Sequence, residues 1–524
     1  MIRLRRSLTL VVPLLLALVM GTAPAPALAE PDEHANEHAI DKGWKEFREK
    51  NGLSHAAGGH EEMGPYAFAA PTGVVSTMRI GIRYSYTSTG SLSEFANVNH
   101  PSVQVKGTVG TVTARDVASG SVITTVSAGT VLTVTHDGSK YTVKNGKKSV
   151  GYVIGPVRFS SNDPNNTFAI PSIKRMDINT WSSYITPEYR GEIEIARGSA
   201  TPSRQVNLVN IVPLETYIKG NVVNESPAYF HPEALKAQAT VSRGYAVANV
   251  GRWNASGYPF DLDDSPASQV YRGKTSEHVN GNTAVDATAG LVLFHNGTIV
   301  NAMYSSSLGG HPESIEWSFS GQGDPAQAVP YLVGRYDGPA GTEPDLTTEA
   351  GLRAFWANDQ PQVYDSQASA GNSRNRWTFV RTRADLESIF ATNAARATVV
   401  SGSSTAIGTL SGCDVTLRSP TGRAVRVRCT GSAAVWDFVG WDNIRRVFPH
   451  PTMGVLSNPA FLDPTYNADG SLASITVIGG GWGHNVGMSQ YGANGRGKAG
   501  QTFQQILSFY YKDSVVGPYV GTAY

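Results

Sequence analysis

Val206-Asn-Leu-Val-Asn-Ile-Val-Pro213 runs without a break into Leu214-Glu-Thr-Tyr-Ile-Lys-Gly-Asn-Val-Val223, then Asn224-Glu225-Ser226-Pro227, and soon into Pro232-Glu-Ala-Leu-Lys-Ala-Gln-Ala-Thr-Val-Ser-Arg-Gly-Tyr-Ala-Val-Ala248. The first run is rich in branched aliphatic residues and predicts a strand. The Leu214 run predicts a short helix. The Pro232 run predicts another, because Pro at the first helical position loses no useful amide hydrogen and Glu233 meets the positive end of the helix dipole. Between them Pro227 forbids continuation, so the chain must turn outward at Glu225.

Upstream, from Met78-Arg-Ile-Gly-Ile-Arg-Tyr to about residue 213, short β-type runs such as Thr130-Val-Leu-Thr-Val-Thr recur between Gly, Asn and Asp turns. That pattern predicts a β-rich frame. Together with the helices it gives an α+β protein, with a Gly-rich C-terminal loop expected to return to the Glu225 cleft. The expected divisions are 1–29, 30–77, 78–213, 214–334, 335–450 and 451–524: a signal peptide, a leader, the β-rich part, the core with Glu225, a mixed insertion, and the Gly-rich motif with a C-terminal helix. At 524 residues the chain exceeds what one core usually serves. No internal repeat of fixed period is present.

The opening residues predict export. Arg3, Arg5 and Arg6 precede an apolar run from Leu8 to Met20, and Ala27-Leu28-Ala29 offers small residues for cleavage. Pro13 interrupts a run already short for a membrane span, so no span is expected after cleavage. The chain carries 43 basic against 42 acidic residues. Such balance excludes the strong basic excess typical of nucleic-acid binding. His34, His38, His55 and His60 match no ordinary zinc spacing. Cys413 and Cys429 are symmetric about Thr421 in an alternating stretch with a Pro/Gly turn, which predicts a hairpin; export permits a disulfide between them.

Three segments could carry chemistry. Glu225 sits between helices, where partial desolvation would raise its pKa and let it act as a general acid. Gly479-Gly-Gly-Trp-Gly-His-Asn-Val-Gly-Met-Ser-Gln-Tyr-Gly offers Trp482, His484, Gln490 and Tyr491, residue types that stack on sugars and bond their hydroxyls. It lacks the Lys-Ser/Thr ending of a phosphate-binding loop. Tyr304-Ser-Ser-Ser-Leu-Gly-Gly-His places hydroxyls near His311, but no nucleophile elbow accompanies them, and a self-bonded Ser-rich turn is the expected reading.

Leu214-Glu-x-Tyr-Ile-x-Gly, Asn224-Glu225-Ser-Pro, Pro232-Glu-Ala-Leu-Lys-Ala-Gln-Ala with Arg243 and Tyr245, Gln269-Val-Tyr, Tyr304-Ser-Ser-Ser-x-Gly-Gly, and Gly481-Trp-Gly-His-x-Val-Gly-Met-Ser-Gln-Tyr-Gly occur in that order. Jointly they resemble the SpoIID/LytB family, covering about residue 78 to the C-terminus. The resemblance implies an exported, cell-wall-directed protein. Its SpoIID side implies lytic transglycosylase activity on peptidoglycan glycan strands, with Glu225 as acid/base. Its LytB side implies a cell-wall amidase as partner. Expected substrate-binding residues are Trp482, His484, Gln490, Tyr491, Arg243, Ser305 and Ser306. Some members hold zinc through cysteines before Gln-Val-Tyr, whereas Asp261-Leu-Asp-Asp-Ser-Pro-Ala-Ser-Gln-Val-Tyr has neither Cys nor His. No cofactor is expected, zinc included. Ser226 and Asn224 depart from the family's usual neighbours.

Overall fold

Inward-facing Val, Ile and Phe on alternating strands build the first layer of the molecule. The computed structural model describes residues 75–88, 91–178, 180, 183–319 and 328–519. The expected signal peptide and nearly all of the leader lie outside them. Strand Thr77–Ile82 pairs antiparallel with Asn207–Pro213, which pairs with Glu192–Ala196, and the sheet continues to seven strands. A six-stranded sheet with Val103–Gly107, Val131–His136, Tyr141–Asn145 and Lys148–Val153 packs against it. Val105, Leu132, Val134, Val143, Phe159 and Ile193 are buried in the core they share.

Strand Asn207–Pro213 delivers the chain to the helices. The expected single helix is two: Leu214–Lys219 and Val222–Glu225, interrupted at Gly220 and Asn221. A side chain at Gly220 would collide with the Tyr271 ring, so glycine is kept at a poor helical position for close packing. Helix Pro232–Ala248 starts where predicted; His231 Nδ1 accepts the Glu233 amide hydrogen at 3.3 Å. Glu233 also accepts the Phe503 amide hydrogen at 2.7 Å, tying in the C-terminal helix Phe503–Tyr510. Among the described residues no helix is long and apolar enough to cross a membrane.

A second core forms around Trp377, Phe390, Trp436 and Phe438. It lies between a four-stranded sheet and a three-stranded one. The three-stranded sheet joins Trp377–Thr382 to Leu472–Gly479 and Pro459–Tyr466, so the division expected at 450 falls inside one packed unit. Cys413 and Cys429 stand directly opposite in the predicted hairpin and are bonded. The hairpin's turn does not project into solvent. Ser419 Oγ donates to Glu313 at 2.9 Å, Thr421 also bonds Glu313, and Arg423 pairs with it at 3.1 Å. Trp356 Nε1 donates to the Thr421 carbonyl at 2.8 Å. This buried clasp holds the second unit against the segment that begins at Tyr304.

Candidate active site

Glu225 is the last residue of its short helix, and Ser226 is extended at φ −121°, ψ 120°, as a residue before proline prefers. The turn leaves the residue partly exposed while its carboxyl end is enclosed by the protein. One oxygen accepts the Val270 amide hydrogen at 2.6 Å; the other lies 3.5 Å from Gln490 Nε2. The Tyr304 hydroxyl also bonds the carboxyl. Burial pushes the Glu225 pKa up to about 7, while the hydrogen bonds from Val270, Gln490 and Tyr304 and the more distant Arg272 charge pull against it. Burial wins because the three hydrogen-bond donors are neutral. Near pH 7 such a carboxyl is divided between acid and base forms.

Gln490 arrives from the far end of the sequence by backbone pairing. Tyr304–Ser305 pairs parallel with Met488–Ser489, and Gln490 opens the helix that follows. Gly487, at φ +77°, is required there because a Cβ would collide with the Met303 carbonyl. Gln490 Nε2 also reaches Gln238 Oε1 at 3.3 Å; the same oxygen accepts from Ser226 Oγ at 3.0 Å. Gln238 Nε2 donates to Ser242 Oγ at 3.0 Å, one turn on along helix Pro232–Ala248. The Tyr304 hydroxyl accepts from Gln269 Nε2 at 2.8 Å, and Gln269 Oε1 accepts from the Tyr217 hydroxyl at 3.1 Å. Three distant segments, at Val270, Tyr304 and Gln490, thus converge on one carboxyl.

Gln238, Gln269, Tyr217 and Tyr304 were not among the residues singled out from sequence, although each stands inside a quoted motif. Their signal was polar side chains at positions that must be buried: Gln238 and Ser242 lie on the inward face of an Ala-rich helix. Ser226, at an altered family position, bonds within the network. Asn224 does not face the carboxyl; it bonds Gly220, Ser276 and Arg272. Tyr229, four residues after Glu225, is 63% exposed and packs edge-on to Phe230 at 5.4 Å.

The expected sugar-binding residues divide. Gln490 reaches Glu225. His484 comes within one tyrosine of it: the ring bonds the Tyr304 backbone, Nδ1 accepts from Val486 N at 3.2 Å, and burial lowers its pKa to about 4. It is a neutral ring between Phe319 and Trp441, positioning Tyr304 rather than touching Glu225. Trp482 is 7% exposed in the second core, with the Arg374 guanidinium 4.6 Å over its ring. Tyr491 packs on Phe230 at 5.0 Å, and its amide donates to Ser306 O at 3.1 Å. Ser305 is buried and Ser306 half-buried. Arg243, fully buried, binds Glu215 in a fork at 2.8 and 2.7 Å. Trp482, Tyr491, Arg243 and Ser305, expected to meet substrate, are buried among other side chains.

The polar side chains of the loop before Gln269 bond to one another and to arginines. Asp263 accepts from Arg83 at 2.5 Å and Ser265 at 3.0 Å, Asp264 pairs with Arg175 at 2.7 Å, and Ser268 Oγ accepts from Trp253 at 3.1 Å. Arginines already neutralise these carboxylates. His311 bonds the Pro312 carbonyl at 2.9 Å and Ser307 bonds Asp365 at 3.1 Å, so the Ser-rich segment assembles no Ser–His pair there.

A β-rich α+β frame that buries one carboxyl beneath a converging Gly-rich loop defines the class. Residues 202–295 match the family model described as Stage II sporulation protein (SpoIID), and 325–487 match a domain of unknown function (DUF8618). Over 314 residues the chain is 29% identical to the amidase enhancer of Bacillus subtilis (strain 168), covering 58% of this chain and 40% of that protein. It is 27% identical over 321 residues to stage II sporulation protein D of the same organism, covering 59% and 75%. The corresponding Bacillus amyloliquefaciens protein is 26% identical over 318 residues, covering 58% and 74%. The chain thus carries a SpoIID-type domain and is similar both to stage II sporulation proteins D and to an amidase enhancer. Glu225, Gln238 and Gln269 fall within the SpoIID match; Tyr304 and Gln490 fall outside it.

Proposed function

We propose that this protein is an exported peptidoglycan lytic transglycosylase that works in the cell wall. The observation that carries the reading is the Glu225 carboxyl, held by neutral donors and raised to about 7. In the proposed reaction the protonated carboxyl gives its proton to the oxygen linking N-acetylmuramic acid to N-acetylglucosamine, and that C–O bond breaks through an oxocarbenium-like transition state. The carboxylate then takes the proton of the muramyl 6-hydroxyl as its oxygen closes on the anomeric carbon. The product is a 1,6-anhydro ring, Glu225 is regenerated, and neither an attacking water nor a second carboxylate takes part. Gln490 and Tyr304 hold the carboxyl in place, and Tyr229 would meet a sugar face.

Digestion of purified glycan strands with mass analysis tests this. Wild type should release anhydromuramyl products and Glu225→Gln should not; equal release would remove Glu225 from the chemistry. The similarity to the Bacillus amidase enhancer favours a second reading, a non-catalytic peptidoglycan-binding enhancer of an N-acetylmuramoyl-L-alanine amidase. That reading expects wall binding and amidase stimulation by wild type and Glu225→Gln alike, with no glycan cleavage.

A further inference from the structure

Around Glu225 the direction of each hydrogen bond is decided by groups that can only donate or only accept. Gln269 Nε2 donates to the Ser242 backbone carbonyl at 3.3 Å, and a carbonyl has no hydrogen to give, so the Gln269 amide can face only one way. Its oxygen then meets the Tyr217 hydroxyl at 3.1 Å, and its nitrogen also donates to the Tyr304 hydroxyl at 2.8 Å. Gln269 is buried, so the side chain is held from both ends of its amide.

Tyr304 therefore receives a hydrogen from Gln269. The Ser242 hydroxyl, whose oxygen accepts from Gln238 Nε2 at 3.0 Å, bonds Tyr304 as well. With its oxygen occupied as an acceptor, the Tyr304 hydroxyl turns its own hydrogen to Glu225. The Val270 amide, at 2.6 Å, and Gln490 Nε2, at 3.5 Å, are donors too. Among the described residues, every hydrogen-bond partner of the Glu225 carboxyl thus gives a hydrogen and none takes one. This surrounding suits the carboxylate. The acid form holds a hydrogen that these partners do not engage.

We propose that Gln269 is a positioning residue that aims the Tyr304 hydroxyl hydrogen at Glu225, and so keeps the acid hydrogen of Glu225 for an incoming oxygen that can only accept. The proposal rests on the acid/base reading of Glu225. An ether oxygen between two sugars is such an acceptor, whereas a sugar hydroxyl also donates and serves the carboxylate form. Without the Gln269 donor, Tyr304 would be free to rotate and accept from protonated Glu225, and the acid hydrogen would be held inside the protein. Arg272 is the charged group whose field reaches the carboxyl, and burial raises Tyr217, Tyr245 and Tyr304. Of these groups only Glu225 exchanges a proton near neutral pH.

The test is direct titration of Glu225 in the full chain by carbon-13 carboxyl NMR, with Glu225→Gln identifying the signal. Gln269→Met and Tyr304→Phe each remove the aimed hydrogen bond and should each raise the Glu225 midpoint by about one pH unit, the size of one hydrogen bond to a carboxylate. The double variant should titrate like Tyr304→Phe alone, because Gln269 acts through that hydroxyl. On glycan strands Gln269→Met should lower kcat about tenfold with KM unchanged. Circular dichroism checks that each variant is folded. An unmoved midpoint in folded Gln269→Met overturns the proposal, as does a Gln269→Met shift that persists in the Tyr304→Phe background. An unmoved midpoint in Tyr304→Phe also overturns it, whether or not Gln269→Met folds. If the titrations come out as expected while wild type cleaves no glycan, the lytic reading fails and the direction of the hydrogen bonds stands.

Discussion

Replacing Glu225 by Gln keeps the shape of the side chain and removes its proton equilibrium. In the native protein the carboxyl titrates near 7 against an ordinary value of 4.5. A raised carboxyl pKa means that the folded state holds a proton the unfolded chain has lost, so stability falls as pH climbs through this window. At about 1.4 kcal/mol per pH unit, the buried carboxylate costs about 3 kcal/mol once the pH is above 7. Below 4.5 both states are protonated and the cost vanishes. The Gln variant carries no such term. With an unfolding entropy of about 2.1 cal/mol/K per residue, a chain this size shifts about 1 °C per kcal/mol. Glu225→Gln should therefore melt about 3 °C above wild type at pH 8.5 and level with it at pH 4.5 in scanning calorimetry. A difference independent of pH, or none at pH 8.5, would refute the claim that burial governs this carboxyl.

The remaining expectations concern its neighbours. Gln490→Met removes a donor that lowers the Glu225 pKa; the alkaline limb of the pH–rate profile should move upward, and a profile unmoved would deny the contact. Tyr229→Ala should raise KM up to about tenfold with kcat nearly unchanged, the range of a lost aromatic contact. Arg243→Met should cost only about 1 kcal/mol in denaturant unfolding, because the Glu215 carboxylate left behind is 38% exposed to water, and leave KM alone; a rise in KM would return Arg243 to the substrate. Cys413→Ser with Cys429→Ser should cost about 3 kcal/mol in unfolding of the second unit, from reopening a 16-residue separation.

The strand-to-helix switch at Pro213–Leu214, the helix beginning at Pro232 and the disulfide hairpin were legible because each is decided by residues close in sequence. Proline geometry, β-branching and a symmetric turn act locally. The split at Gly220 was not, because its cause is the Tyr271 ring, some fifty positions away. Nor did local pattern reveal that Leu472–Gly479 joins Trp377–Thr382: two edges chose each other through a shared core.

The same distinction explains the site. Trp482, Tyr491 and Arg243 have the chemistry of sugar ligands, but residue type says nothing about which way a side chain faces. Trp482 follows a three-glycine run that lets its backbone lie against Ser307 and turns the indole inward, under Arg374. Gln238 is a polar residue in an Ala-rich helix, and burial makes it a link: it accepts from Gln490 and Ser226 and donates to Ser242. A buried amide must satisfy both its oxygen and its nitrogen, so Gln238 fixes the distance between its own helix and the one that Gln490 opens. Glu225 hangs between those helices. Its raised pKa follows from their close approach, and its position from the glycines that permit it.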